Sequence, residues 1–214
     1  MHLLYFCKKP WIDEIAIQGY NFTQRPKTKE RKPMDLKHIV DKGIEIGFTR
    51  GRVADPSMIK MEEVFRDSCK SNICGKYDTS WMGPPQIGEI ADLKKQVETF
   101  PEVIILQSEK EVEDSFDLEA MAEGAVEHNK RLRALVEEIH KELPRDRFLP
   151  LGVDCCDYCD RCAYLDDEPC RHPDKAMASV EAYGMDMTTI LKNAEMPYYG
   201  GGEKVLFTAI VFFK

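Results

Sequence analysis

"EVIILQSEKEVEDSFDLEAMAEGAVEHNKRLRALVEEIHKELPRDRFLPLGV", residues 102–153, is the stretch on which the fold class turns. Val103–Leu106 is a continuous apolar run, the pattern of a short strand covered on both faces. A long helical pattern follows from about Asp117 to Leu143. Leu118, Ala122, Ala125, Leu132, Leu135, Ile139 and Leu143 mark its apolar stripe. "FLPLGV", residues 148–153, reads as a second short strand. Strand, long helix, strand predicts a right-handed parallel crossover, and hence an α/β fold.

The flanks extend this reading. "IEIGF", residues 44–48, alternates as a strand does. Asp55-Pro56 has the form of a helix start, with Asp as N-cap and Pro in the first turn. It predicts a helix placing Met58, Met61, Phe65 and Cys69 on one face. Ile87, Ile90, Leu93, Val97 and Phe100 predict another helix, and a further one is expected from Ser179 onward. "YYGGGEK" is a turn without phosphate-loop spacing, and "VLFTAIVFF", residues 205–213, is a final buried strand. Four candidate strands make a small mixed or parallel sheet layered with helices. A cysteine-rich metal-binding loop is expected at the sheet's edge or at its strand ends.

The first 34 residues read differently. "QRPKTKERKP" holds five basic residues between Arg25 and Lys32, flanked by prolines, so residues 1–34 are expected to be an extension or linker. Residues 35–214 are the expected metal-binding domain. Regular patterning starts at Met34, which makes it an alternative start of the chain.

With 214 residues, 43% apolar and 32% charged, the composition is that of a globular protein. A formal charge of −8 argues against general binding to nucleic acid or an anionic membrane. The nine residues 205–213 are too few for a spanning helix, which needs about 20. "MHLLYFCKKPW" has its basic residues after its apolar run, unlike a secretory signal, so a cytoplasmic location is expected. In a reducing compartment, eight cysteines point to metal or redox chemistry rather than disulfides.

The chemistry concentrates in "GVDCCDYCDRCAYLDDEPCRHP", residues 152–173. Cys156, Cys159 and Cys162 form C-x2-C-x2-C, and Cys170 follows. Short spacing lets three thiolates converge from one tight loop, the ferredoxin-type arrangement for a [4Fe-4S] cluster. Zinc is the competitor, although structural zinc sites more often pair two C-x2-C knuckles across a longer loop. A second register, Cys155, Cys159 and Cys162, has the C-x3-C-x2-C spacing of radical S-adenosylmethionine enzymes. The chain has too few strands around it for a barrel of that kind. Cys69 and Cys74, in "SCKSNICGKYDTSWMGPP", supply only two thiols: a degenerate second site, an added ligand pair, or plain thiols.

Around the cluster, Arg171 is placed to offset thiolate charge, and His172 either to donate a hydrogen bond or join proton-coupled redox chemistry, or simply to lie on the surface. Asp154, Asp157, Asp160, Asp166, Asp167 and Glu168 make the loop acidic, either a docking face for a basic redox partner or a solvated face. Tyr77 and Trp81 are expected to pack the loop, and His128 and His140 to lie on the helix surface.

These motifs carry a resemblance. "CGKY…WMGPP" followed by "CCDYCDRCAYLDDEPCRHP…SVEAYGMDM" resembles domain-of-unknown-function family 2284, described as predicted metal-binding proteins of prokaryotes. The resemblance runs from about Asp35 onward. Its specific part includes Pro169-Cys170-Arg171, Pro173 and Glu181-Ala182-Tyr183-Gly184. The family carries Cys-Pro-Pro where this chain has Gly83-Pro84-Pro85, so a third ligand for the first cysteine pair is missing here. The resemblance implies metal binding, iron-sulfur by the donor set, in anaerobic metabolism. It implies no particular reaction. Together these readings predict a cluster protein that transfers electrons to, or supports, a partner enzyme. Set against that are a zinc-stabilised interaction module and a cluster enzyme with an open iron.

Overall fold

The crossover is present, with a strand inserted in it. The computed structural model of the chain describes residues 34–214. Its five strands are β1 (Arg50–Ala54), β2 (Glu102–Glu111), β3 (Phe148–Gly152), β4 (Ala178–Ser179) and β5 (Lys204–Phe213). They form one mixed sheet in the order β1-β2-β5-β3-β4. β5 is antiparallel to both β2 and β3, so those two run parallel to each other with β5 between them. The expected strand–helix–strand unit thus spans a one-strand gap. Nothing within residues 102–153 could reveal that a later strand fills it. The expected extension over residues 1–34 lies outside the described residues, apart from Met34.

The helices are α1 (Leu36–Ile46), α2 (Glu63–Lys70), α3 (Ile90–Val97), α4 (Leu118–His140) and α5 (Met187–Asn193). Three expected elements change. Ile44–Phe48 is not a strand: α1 runs through to Ile46 from an N-cap at Asp35, whose side chain accepts from the His38 N–H. Gly47 then turns the chain at φ 117°, and the backbone N–H of Phe48 bonds back to Gly43 O at 3.1 Å. This is the glycine-terminated helix end that a residue with a Cβ resists.

The helix expected from Asp55 stops after one 3-10 turn, Pro56–Met58. The chain is drawn into pairing instead: Met61 bridges Met185, Glu62 N–H donates to Gly184 O at 2.8 Å, and Asp186 N–H to Lys60 O at 2.9 Å. Only from Glu63 does α2 begin. Ser179, expected to open a helix, ends β4. α5 starts at Met187, capped by Asp186 through the Thr189 N–H. β1 and β4 were not expected, the one because "RGRVA" is mostly polar, the other because it is two residues long.

The central strands are buried as their composition demands. Val103–Leu106 and Ala209–Phe213 are shielded completely, and Leu132, Leu135 and Ile139 of α4 close over the sheet. The buried stripe of α4 nevertheless differs from the expected one. Leu118 and Ala122 face solvent, while Gly124, His128 and Asn129 are buried. The helix approaches the sheet so closely at Gly124 that an added Cβ would stand 2.6 Å from the Phe207 ring.

His128, expected on the surface, is 0% exposed. Its Nδ1 lies 2.7 Å from Ser108 Oγ, and its ring sits edge-on to Phe48 with centroids 5.3 Å apart. Burial drives its pKa from the ordinary 6.5 to about 3, with the Arg131 charge acting in the same direction.

Two outcomes follow. Gly124→Ala, which in an open helix would stabilise by about 1 kcal/mol, is expected to destabilise by about 1–3 kcal/mol in urea unfolding because Phe207 and Lys110 must move. For His128 the folded form stays neutral down to pH about 3, while the unfolded chain takes up a proton below about 6.5. Stability contributed by this neutral histidine is complete above pH 6.5 and falls by about 1.4 kcal/mol per unit as the pH drops toward 3. Unfolding of His128→Gln, followed against pH, should lack that part of the acid slope.

Candidate metal centre

β3 ends at Gly152, and the cysteine loop begins at the next residue. The buried side chain of Asn129 on α4 holds this junction. Its Nδ2 donates to Val153 O at 3.1 Å, and its Oδ1 accepts from the Val153 N–H at 3.2 Å. Gly152 permits the approach, since a Cβ there would fall 2.4 Å from Asn129 Oδ1. The same amide also reaches Asp157 at 3.3 Å. One helical turn on, Arg133 pairs with Asp157 and donates to Lys175 O at 2.8 Å, tying both ends of the loop to α4.

Beyond this anchor the loop folds back through a 3-10 turn, Ala163–Asp166. Cys156, Cys159, Cys162 and Cys170 come to line one cavity, together with Trp81, Met82, Tyr158, Arg171 and His172. All four sulfur-bearing residues are partly buried. Burial pushes the Cys170 thiol up, and charge on Cys156, Cys162 and Cys159 would push it the same way. Four thiolates in one cavity repel one another, and a cation among them is what makes their common ionisation favourable. The donor set and its convergence fit a thiolate-ligated metal group. The thiols stand around the cavity walls. Among the described residues, no three His, Cys, Asp or Glu side chains are grouped as ligands of a single ion.

The other thiols lie apart from that wall. Cys156, not Cys155, lines the cavity. Cys155 lies near the Lys76 ammonium, which pairs with Asp154, and burial followed by the Asp154 charge pushes its thiol up to about 11. Cys69, half-buried at the end of α2, has the exposed Cys74 as its electrostatic neighbour. Burial raises the Cys69 thiol, and the nearby Arg66 opposes the shift.

The loop between α2 and α3 covers one side of the cysteine cavity. Trp81 Nε1–H donates to Glu168 O at 2.9 Å, and its ring meets Tyr164 edge-on at 5.1 Å. Gln86 donates to the Tyr164 hydroxyl at 2.8 Å, which in turn donates to Asp78. Trp81 therefore packs the loop, as expected, and also walls the site. On the other side Tyr158 contacts His172 edge-on at 4.9 Å and lies beneath the Arg133 guanidinium at 5.1 Å. Asn129, Arg133, Met82 and Tyr158 were missed in the sequence. Only the helical spacing of Asn129 and Arg133, four residues apart, hinted that they share a face.

The acidic loop is largely matched by cations. Asp154 has Lys76 and Asp157 has Arg133. Asp166 has Arg161 at 2.9 Å and Arg171 at 3.6 Å, and Glu168 has Arg171 at 3.7 Å.

Residues 52–213, about three quarters of the chain, match the family described as predicted metal-binding protein, domain of unknown function 2284. The chain belongs to this family. In this member of family 2284 the matched region carries all four cavity cysteines as well as Cys69, Cys74 and Cys155. No curated protein and no solved structure matches the chain. Among the described residues no helix is long and apolar enough to cross a membrane.

Asn129→Ala would strip both hydrogen bonds from the Val153 backbone at a buried position. Urea unfolding should show a loss of about 2–4 kcal/mol, because each orphaned group forfeits about 1–3 kcal/mol. Asn129→Asp restores only the acceptor and should recover part of that loss.

Proposed function

We propose that this member of family 2284 holds a [4Fe-4S] cluster on Cys156, Cys159, Cys162 and Cys170, and serves electron transfer or redox support of a partner enzyme in the anaerobic metabolism of the cytoplasm. The observation that carries this reading is the convergence of the C-x2-C-x2-C array and Cys170 on one cavity. A tetrahedral zinc draws its four sulfurs to within about 4 Å of one another, given a Zn–S bond of about 2.3 Å. The ferredoxin-type spacing of the three loop cysteines is what favours the multi-iron group over zinc. Such a cluster, when bound, supplies one-electron exchange.

The protein's own residues do the rest. Asn129 and Arg133 fix the loop that carries three of the thiols. Trp81 and Met82 wall the cavity on one side. Arg171, in the cavity lining, places positive charge beside sulfurs that become anionic on metal binding. The ion pairs of Asp154, Asp157 and Asp166 offset the loop's negative charge, which favours a partner surface of mixed charge over a strongly basic one.

Anaerobic purification followed by iron, sulfide and zinc analysis tests this directly. About four irons and four sulfides per chain, with a brown absorption that bleaches on dithionite, are expected. Serine at Cys156, Cys159, Cys162 or Cys170 should lower the iron content, whereas Cys155→Ser should leave it unchanged. About one zinc and no colour would replace this reading with that of a structural zinc module.

A further inference from the structure

A second recess lies away from the cysteine cavity, between α2, the loop before α3 and the first residues of α3. Its volume is about 130 Å³. Arg66 lines it, yet the residue is only 7% exposed. Its Nη1 has no hydrogen-bond partner, and Arg66 forms no ion pair among the described residues. A buried charge without a counter-charge is costly, and arginine cannot shed its proton to escape the cost. The N-terminus of α3 opens onto the same recess through Glu89 and Ile90, and no side chain caps it. An uncapped helix start and an unpartnered buried guanidinium both favour a negative group.

The remaining lining decides which anion. Lys70 is already engaged by Asp67 at 2.6 Å. Glu63 and Glu89 add two further carboxylates, and Tyr77 supplies a hydroxyl. With two cations and three carboxylates, the recess is net negative before anything enters. A doubly charged phosphate would meet that field unfavourably. A molecule with one carboxylate and one ammonium leaves the net charge unchanged and satisfies both signs.

We propose that this recess binds a small zwitterion of the amino-acid class, its carboxylate held by Arg66 and the start of α3, its ammonium by Glu63 and Glu89. The site is independent of the metal reading. Bidentate recognition of a carboxylate is the geometry for which a guanidinium is suited.

Calorimetric titration of the full chain at neutral pH with glycine, L-alanine, acetate and inorganic phosphate tests the assignment. Saturable binding of glycine or L-alanine, weaker binding of acetate and none of phosphate are expected. Arg66→Met should weaken amino-acid binding about tenfold or more, while the unfolding Tm holds or rises because an unpaired buried charge is gone. Glu89→Gln, at an exposed position, should weaken the amino acids but not acetate, and it decides the matter if Arg66→Met fails to fold. No saturable amino-acid binding, tighter binding of phosphate, or full binding by Arg66→Met would overturn the proposal.

Discussion

The amide of Asn129 stands where a neighbouring strand would stand. It gives Val153 an acceptor for its N–H and a donor for its C=O at the residue where β3 has run out of sheet. A buried backbone pair without partners would favour fraying of the strand end. With the pair satisfied, the loop leaves the sheet at a fixed point and in a fixed direction. The four thiols can then be placed from a rigid base rather than from a free chain. Gly152 and Asn129 are thus one device: the missing Cβ of the first is the space occupied by the second.

The architecture was legible where period and composition agreed. The apolar runs of β2 and β5 and the long pattern of α4 each allowed one reading, and the structure has them. Legibility failed where tertiary pairing overrode local pattern. "IEIGF" alternates like a strand, but Asp35 and Gly47 close it into α1 at either end. Asp55-Pro56 does begin a helical turn, yet Met61 is taken by Met185 before a helix can propagate. Burial of His128 was illegible because the sequence does not say that Ser108 will face it.

At the site, spacing was informative and surroundings were not. C-x2-C-x2-C confines three thiols to one loop whatever the fold, so the gathering of Cys156, Cys159 and Cys162 could be anticipated. That Cys170 rejoins them follows from the turn at Ala163–Asp166, which charge pairs among Arg161, Asp166 and Arg171 brace. Those same pairs change the meaning of the acidic run. Six carboxylates in the sequence read as a strongly negative face, but in the structure Asp154 and Asp157 meet a cation drawn from elsewhere in the chain, and Asp166 and Glu168 meet arginines of the loop itself.

β5 is the last of the five strands along the chain, yet it lies in the middle of the sheet. Its place has a consequence for the order of biogenesis. Among the described residues β3 has β4 and β5 as its neighbours, and both are synthesised after the cysteine loop. While a ribosome is still short of Phe213, the thiols have emerged but the platform that aims them has not closed. A metal held by these four thiols would therefore find its site complete only after β5 has been translated. The nascent loop passes through an interval in which its cysteines are open to oxidants.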